Sequence, residues 1–161
     1  MDKIELLNPY NDRQLESFND FCLYNDLPNL AKSLQEKTKS QTEQNYFRSL
    51  QLSYVTDSYL LEIKDEKVTD YCYIHSEKDT KKAIITYPEL LNRHHHKQFL
   101  KESITYVLND LSMDELFLTL PITDHYTNKI FTSLGYFPID QDDSLTTYFF
   151  AKDEKLKNNI K

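Results

Sequence analysis

Six consecutive residues carry the densest chemistry of this chain: Asn92, Arg93, His94, His95, His96 and Lys97. Three imidazoles invite a metal. Successive side chains on a helix point about 100° apart, so three histidines in a row cannot converge on one ion there. In an irregular loop two of them could. The flanking Asn92, Arg93 and Lys97 bring hydrogen-bond donors and positive charge, which suit an anion. The run is read as a solvated loop or an anion site, and no metal is assigned. It is internal to the chain and so is not an appended tag.

Asp124 precedes a helical stretch and is read first as its cap, with a ligand contact as the second reading. Asp140, Asp142 and Asp143 read as a solvated turn, with a grip on a cationic amine as the lesser reading. Cys22 and Cys72 show no nearby basic partner and no metal-ligand spacing. They read as buried thiols of a reducing compartment, which with a polar N-terminus predicts a cytoplasmic protein. No P-loop, zinc spacing or nucleophile elbow is present. The chain has a single glycine, Gly135, where average usage would give about ten. Phosphate sites built from bare backbone N–H groups usually need glycine for close approach, so the commonest nucleotide loops are disfavoured.

The elements that position these residues follow from pattern. The 161 residues fit one domain, expected over 1–154, with a polar tail at 155–161. Twelve Tyr and nine Phe with no Trp suggest a core built on phenyl rings. A net charge of −7 opposes nucleic acid and anionic membranes as partners, and no apolar run is long enough to span a bilayer. A strand is expected over 3–7. A helix follows, capped by Asn11 with Gln14 in the capping-box position. A second helix is expected from near Asp26 with Pro28 in its first turn, and a short helix or turn over 43–49. Strands at 58–63, 68–75 and 83–87 read as an antiparallel meander, stopped by Pro88. Leu100, Ile104, Val107, Leu108 and Leu111 form a buried helical stripe. A strand at 115–120, a helix from Asp124 to a left-handed cap at Gly135, and strands at 136–139 and 145–151 complete the order. The fold class is α/β (α+β), with a mixed, mostly antiparallel sheet flanked by helices.

This order and two stretches of sequence resemble the GNAT superfamily of acetyl-coenzyme-A-dependent N-acetyltransferases. Asp124, Thr127, Ile130, Phe131, Gly135 and Tyr136 fall in the frame N-x-x-A-x-x-L-Y-x-x-x-G-F. Residues 88–100 fall in the frame P-E-Y-R-G-K-G-x-G-x-x-L-L. The resemblance implies a site between Tyr87 and Leu120, where the fourth and fifth strands splay. Residues 92–97 would hold the pyrophosphate of acetyl-CoA, and Asp124 and Phe131 would line the cofactor arm.

The departures are specific. Where the family presents Q/R-x-x-G-x-G/A, this chain has Leu91, His94 and His96. Where many members carry a Tyr able to protonate the departing thiolate, it has Phe131. Glu89 or Asp142 could help deprotonate an amine, but no catalytic residue is singled out. The resemblance therefore implies an N-acetyltransferase acting on a small-molecule or protein amine. The alternative is a catalytically inactive GNAT-like binding or regulatory module that has lost acetyl-CoA binding and could dimerise through exposed aromatic strands.

Overall fold

A computed structural model describes residues 3–152, so the expected polar tail at 155–161 lies outside the described residues. The strands are β1 (Lys3–Leu6), β2 (Val55–Lys64), β3 (Lys67–Glu77), β4 (Lys82–Thr86), β5 (Glu115–Pro121), β6 (Asp140–Gln141) and β7 (Leu145–Ala151). The α-helices are α1 (Asp12–Tyr24), α2 (Leu30–Thr38), α3 (Glu43–Leu52), α4 (Lys97–Thr105) and α5 (His125–Ser133). The sheet runs β1-β2-β3-β4-β5-β7-β6. Its pairs are antiparallel except β4 with β5, which run parallel from Lys82↔Glu115 to Thr86↔Thr119. This is the expected α/β (α+β) class, a mostly antiparallel sheet flanked by helices.

Alternation along the strands sends side chains to two cores. On one face Ile74, Ile85, Leu116, Leu118 and Tyr148 pack with Leu100, Ile104 and Val107 of α4 and its continuation. On the other, Leu61, Ile63 and Tyr71 pack with Leu15, Phe18 and Cys22 of α1. Gly135 has φ 91 and closes α5 as expected. Its N–H bonds to Thr132 O and the Tyr136 N–H to Phe131 O, the two bonds of a Schellman cap.

Several expectations are corrected. Asn11 caps α1 through Gln14 N, but Gln14 does not return the bond. Its Oε1 accepts from Asn8 N instead, while its Nε2 donates to Glu5 and Leu6. The second helix begins at Leu30, capped by Asn29, because Asp26 turns left-handed at φ 56 and Pro28 precedes the cap. The stripe ending at Leu111 does not lie on one straight α-helix. A π-helical turn over Tyr106–Asp110 follows α4, with Leu111 N bonding to Tyr106 O. The expected strand at 136–139 is a loop: Tyr136 belongs to the α5 cap, Pro138 has no N–H to give, and contact with β7 starts with one bond from Ile139 N–H to Thr147 O before register begins at Asp140. The short segment at 43–49 is a ten-residue helix, α3, that reaches Leu52.

Candidate functional site

The site begins where β4 runs out of donors. Tyr87 N–H bonds to Thr119 O at 3.0 Å, and Pro88 then has no N–H to continue the parallel ladder. The chain leaves β4 into residues 88–96 and re-enters helix at Lys97. β5 leads instead to Asp124, whose carboxylate accepts from Thr127 N at 3.0 Å and caps α5. The cap expected for Asp124 is therefore present, and the side chain is buried. Two contacts join the lips of the cleft. His94 stacks on Tyr126 of α5 with centroids 4.0 Å apart and planes 16° from parallel. Thr123 donates to Glu89.

The three histidines part company. His94 is exposed on its stack. His95 is buried, with Nδ1 2.7 Å from Asp70 Oδ1 and Nε2 2.5 Å from Pro88 O. Both ring nitrogens face acceptors, so both carry hydrogen and the ring is an imidazolium. Burial opposes that charge, but the Asp70 carboxylate, its hydrogen bond, the Pro88 carbonyl and Asp124 outweigh it and raise the pKa. His96 has Nδ1 2.8 Å from Glu62 Oε1, while Arg93 donates to its Nε2 at 2.5 Å. That pattern places the hydrogen on Nδ1. Lys64 Nζ lies 3.2 Å from the same Nδ1.

The acids that receive these rings sit opposite each other beside a bulge in the sheet. Glu62 of β2 pairs directly with Asp70 of β3, and the register then slips so that Ile63 faces Val68. Thr69 is the extra residue, and its hydroxyl donates to Glu62 Oε1 at 2.8 Å. A bulge of this kind re-aims a side chain. Here it turns Val68 toward the α1 side, while Asp70 and Glu62 keep the alternation of Cys72 and Leu60 and face the α4 side, where the histidines wait.

The remaining expected residues divide. Asn92, Arg93, His94, His95, His96 and Lys97 come together with Tyr24 and Tyr126 around a cavity of about 550 Å³. Asn92 is committed elsewhere: its N–H bonds to Asn25 Oδ1 at 3.1 Å and its side-chain amide to Tyr24 O. Tyr87 is fully buried, its hydroxyl on Ser103 and its ring edge-on to His95 at 5.4 Å. Phe131 is buried against Tyr148 and Phe150. Neither Tyr87, Asp124 nor Phe131 lies on the cavity wall. Asp142 is occupied as a turn former, since Leu145 N–H and Ser144 N–H both bond to its carboxylate and lower its pKa.

Sequence reasoning missed Asp70, Glu62, Tyr126 and Asn25. The readable signal was Asp70: it shares parity with Cys72 and Ile74, an acid on an inward-facing register. Glu62 offered the same signal, sharing parity with the buried Leu60.

His96 makes no side-chain cap bond, so the first turn of α4 keeps its N–H groups uncapped by a side chain. With Arg93 and Lys97 alongside, this is an arrangement that can receive an anion. A second cavity, of about 650 Å³, lies on the opposite sheet face. Tyr46, Tyr59, Tyr71 and Tyr73 line it, Asp57 and Lys37 supply its charges, and it reaches β4 at Thr86 and Pro88.

No family model matches the sequence, and no curated protein matches it. Solved structures do resemble it. The N-acetyltransferase PseH of Campylobacter jejuni, in complex with acetyl coenzyme A, is 14% identical with a TM-score of 0.58. The match covers 94% of this chain and 99% of that one. PaiA N-acetyltransferase of Thermoplasma acidophilum, in complex with coenzyme A, is 15% identical at a TM-score of 0.57, over 94% and 99% of the chains. The ribosomal-protein-S5-alanine acetyltransferase of Vibrio fischeri is 6% identical at 0.66, over 95% and 94%. This chain has the fold of the GNAT N-acetyltransferases. Among the described residues, no helix is long and apolar enough to cross a membrane.

Proposed function

We propose that the chain is an N-acyltransferase that moves an acetyl group from acetyl-CoA to an amine. The observation that carries this reading is the parting of β4 and β5 at Pro88 beside the uncapped first turn of α4. Structures of the same fold that hold acetyl-CoA or coenzyme A support it. The residues present fit such a ligand. His94 and His96 replace glycine, but their rings turn to Tyr126 and to Glu62. Arg93 and Lys97 would hold the pyrophosphate together with the backbone of the first α4 turn. When bound, the coenzyme supplies an activated thioester.

The chain's own part is positional. Phe131 has no proton to give, and the Tyr87 hydroxyl is committed to Ser103. Orientation of the reactants then supplies most of the acceleration, since holding groups in line can be worth about 7–11 kcal/mol. The acceptor amine would enter through the tyrosine-walled cavity and meet the cleft at Pro88. Whether that amine sits on a small molecule or a protein is left to an acceptor screen. The unpaired, buried Cys22 and Cys72 support a cytoplasmic setting. A homodimer would use the aromatic sheet surface around Ile84, Phe117 and Phe149.

The bridges Glu89–Thr123 and His94–Tyr126 favour a second reading, a binding module whose cleft stays shut. Calorimetric titration with acetyl-CoA, followed by thiol release with an amine panel, separates the two. Micromolar, saturable binding with amine-dependent thiol release supports the enzyme. No binding at millimolar ligand favours the module and removes the acyltransferase reading, and binding without release to any amine counts against both.

A further inference from the structure

The loop at residues 88–96 contains no glycine, yet it must bring a helix N-terminus to one fixed place. Glu62 and Asp70 lie directly opposite each other on β2 and β3 and are 4% and 0% exposed. Two carboxylates so placed repel unless cations or donors neutralise them. Consecutive loop residues do this: His95 takes Asp70 and His96 takes Glu62. His95 also donates to Pro88 O, so one ring ties the loop's entry to its exit and to β3.

We propose that Glu62 and Asp70 form a two-acid clasp on His96 and His95, and that this clasp takes the place of glycine in setting the α4 N-terminus to receive the coenzyme pyrophosphate. The coenzyme half of the proposal rests on the acyltransferase reading; the clasp itself does not. His95 and Asp70 act here as positioning residues, through the loop.

The clasp depends on charge. His95 is faced by Asp70 from β3, Tyr87 from β4, Pro88 O from the loop and Asp124 from the start of α5. Glu62 and Lys64 of β2 and Arg93 of the loop face the neighbouring His96. The His95 pKa is raised, so the clasp is fully made below that value and weakens, losing the ion pair and one of the ring's two bonds, as pH rises through it.

Three measurements on the full chain test this. Acetyl-CoA is titrated by calorimetry from pH 6 to 9 into wild type, His95→Gln and Asp70→Asn. Amide hydrogen exchange is followed across residues 89–98, and the His95 ring is observed by nitrogen NMR. The expected results are a Kd at least tenfold weaker in both variants at pH 6.5, and exchange in the loop at least tenfold faster with β5 unchanged. The wild-type Kd should also weaken with pH, whereas that of His95→Gln stays flat. Steady-state rates, where an acceptor is in hand, should show a raised KM for acetyl-CoA with kcat within about threefold, because the ring touches no reacting atom. A singly protonated His95 ring at pH 6, or His95→Gln with wild-type exchange and affinity, overturns the clasp. A doubly protonated ring and variant-dependent exchange without acetyl-CoA binding in the wild type keep the clasp and sink the acyltransferase reading. The wild-type pH series and ring protonation need no variant and stand even if both substitutions unfold the protein.

Discussion

Replacing Asp70 by Asn removes one charge from a pair that water does not reach. Asp70 is 0% and His95 2% exposed, and the two lie 2.7 Å apart. Stranding a buried charge by deleting its partner costs about 3–5 kcal/mol. The ring can escape part of that cost by losing a proton, since burial alone lowers its pKa. At pH 6 the unfolded chain carries a charged histidine, with an ordinary pKa of about 6.5. The folded variant must then either strand the charge or release the proton, and we expect a loss of about 3 kcal/mol. Above the raised pKa the wild-type ring is itself neutral, and the loss shrinks to about 1 kcal/mol, the worth of one buried hydrogen bond. The wild-type contribution is thus full below the unfolded pKa and lost as pH rises through the folded one. Urea denaturation at pH 6, 7.5 and 9, read by circular dichroism, gives all three differences. Against a total stability of about 5–15 kcal/mol the acid-side loss is easily resolved. A difference below about 0.5 kcal/mol at pH 6, or one that grows as pH rises, refutes the buried ion pair.

Two further substitutions probe the backbone and the core. The β2–β3 turn places Asp65 and Glu66 at φ 50 and 66, positions that Asn-Gly fills at less strain. Glu66→Gly should therefore stabilise by up to about 1 kcal/mol in thermal or urea unfolding, and a loss would show that the turn's strain is relieved elsewhere. Phe131→Tyr tests whether the missing hydroxyl matters. Its ring is 1% exposed between Tyr148 and Phe150, so the added oxygen should cost about 1–3 kcal/mol and leave acetyl transfer no faster. A rise in kcat would show that this position reaches the reacting thiol.

Much of the fold was legible because its signals are local. The apolar runs, Pro88, the Asp124 cap and Gly135 each state their own element. The resemblance supplied a mixed sheet whose fourth and fifth strands splay, and the parallel β4–β5 pairing itself is contained in no local pattern. What escaped depends on distant atoms. The π-helical turn leaves the apolar stripe of residues 100–111 unaltered in sequence, so periodicity cannot reveal it. The candidate site was legible as a cluster, since residues 92–97 do gather. Their division of labour was not. That His95 should be buried while its neighbours meet solvent follows from its bond to Asp70, in a strand more than twenty residues upstream.

The parallel seam between β4 and β5 also bears on how the chain folds. From β1 to β4 the sheet is largely made of neighbouring hairpins, and from β5 to β7 of another compact group around α5. The two halves meet only by closing the segment through α4 that brings Glu115 back to Lys82. Contacts separated so far in sequence cost loop-closure entropy before they return any stability, and tend to form late. The proposed site therefore straddles the join between the two halves. A ligand spanning that join would slow unfolding as well as bind, and unfolding rates with and without acetyl-CoA would report it.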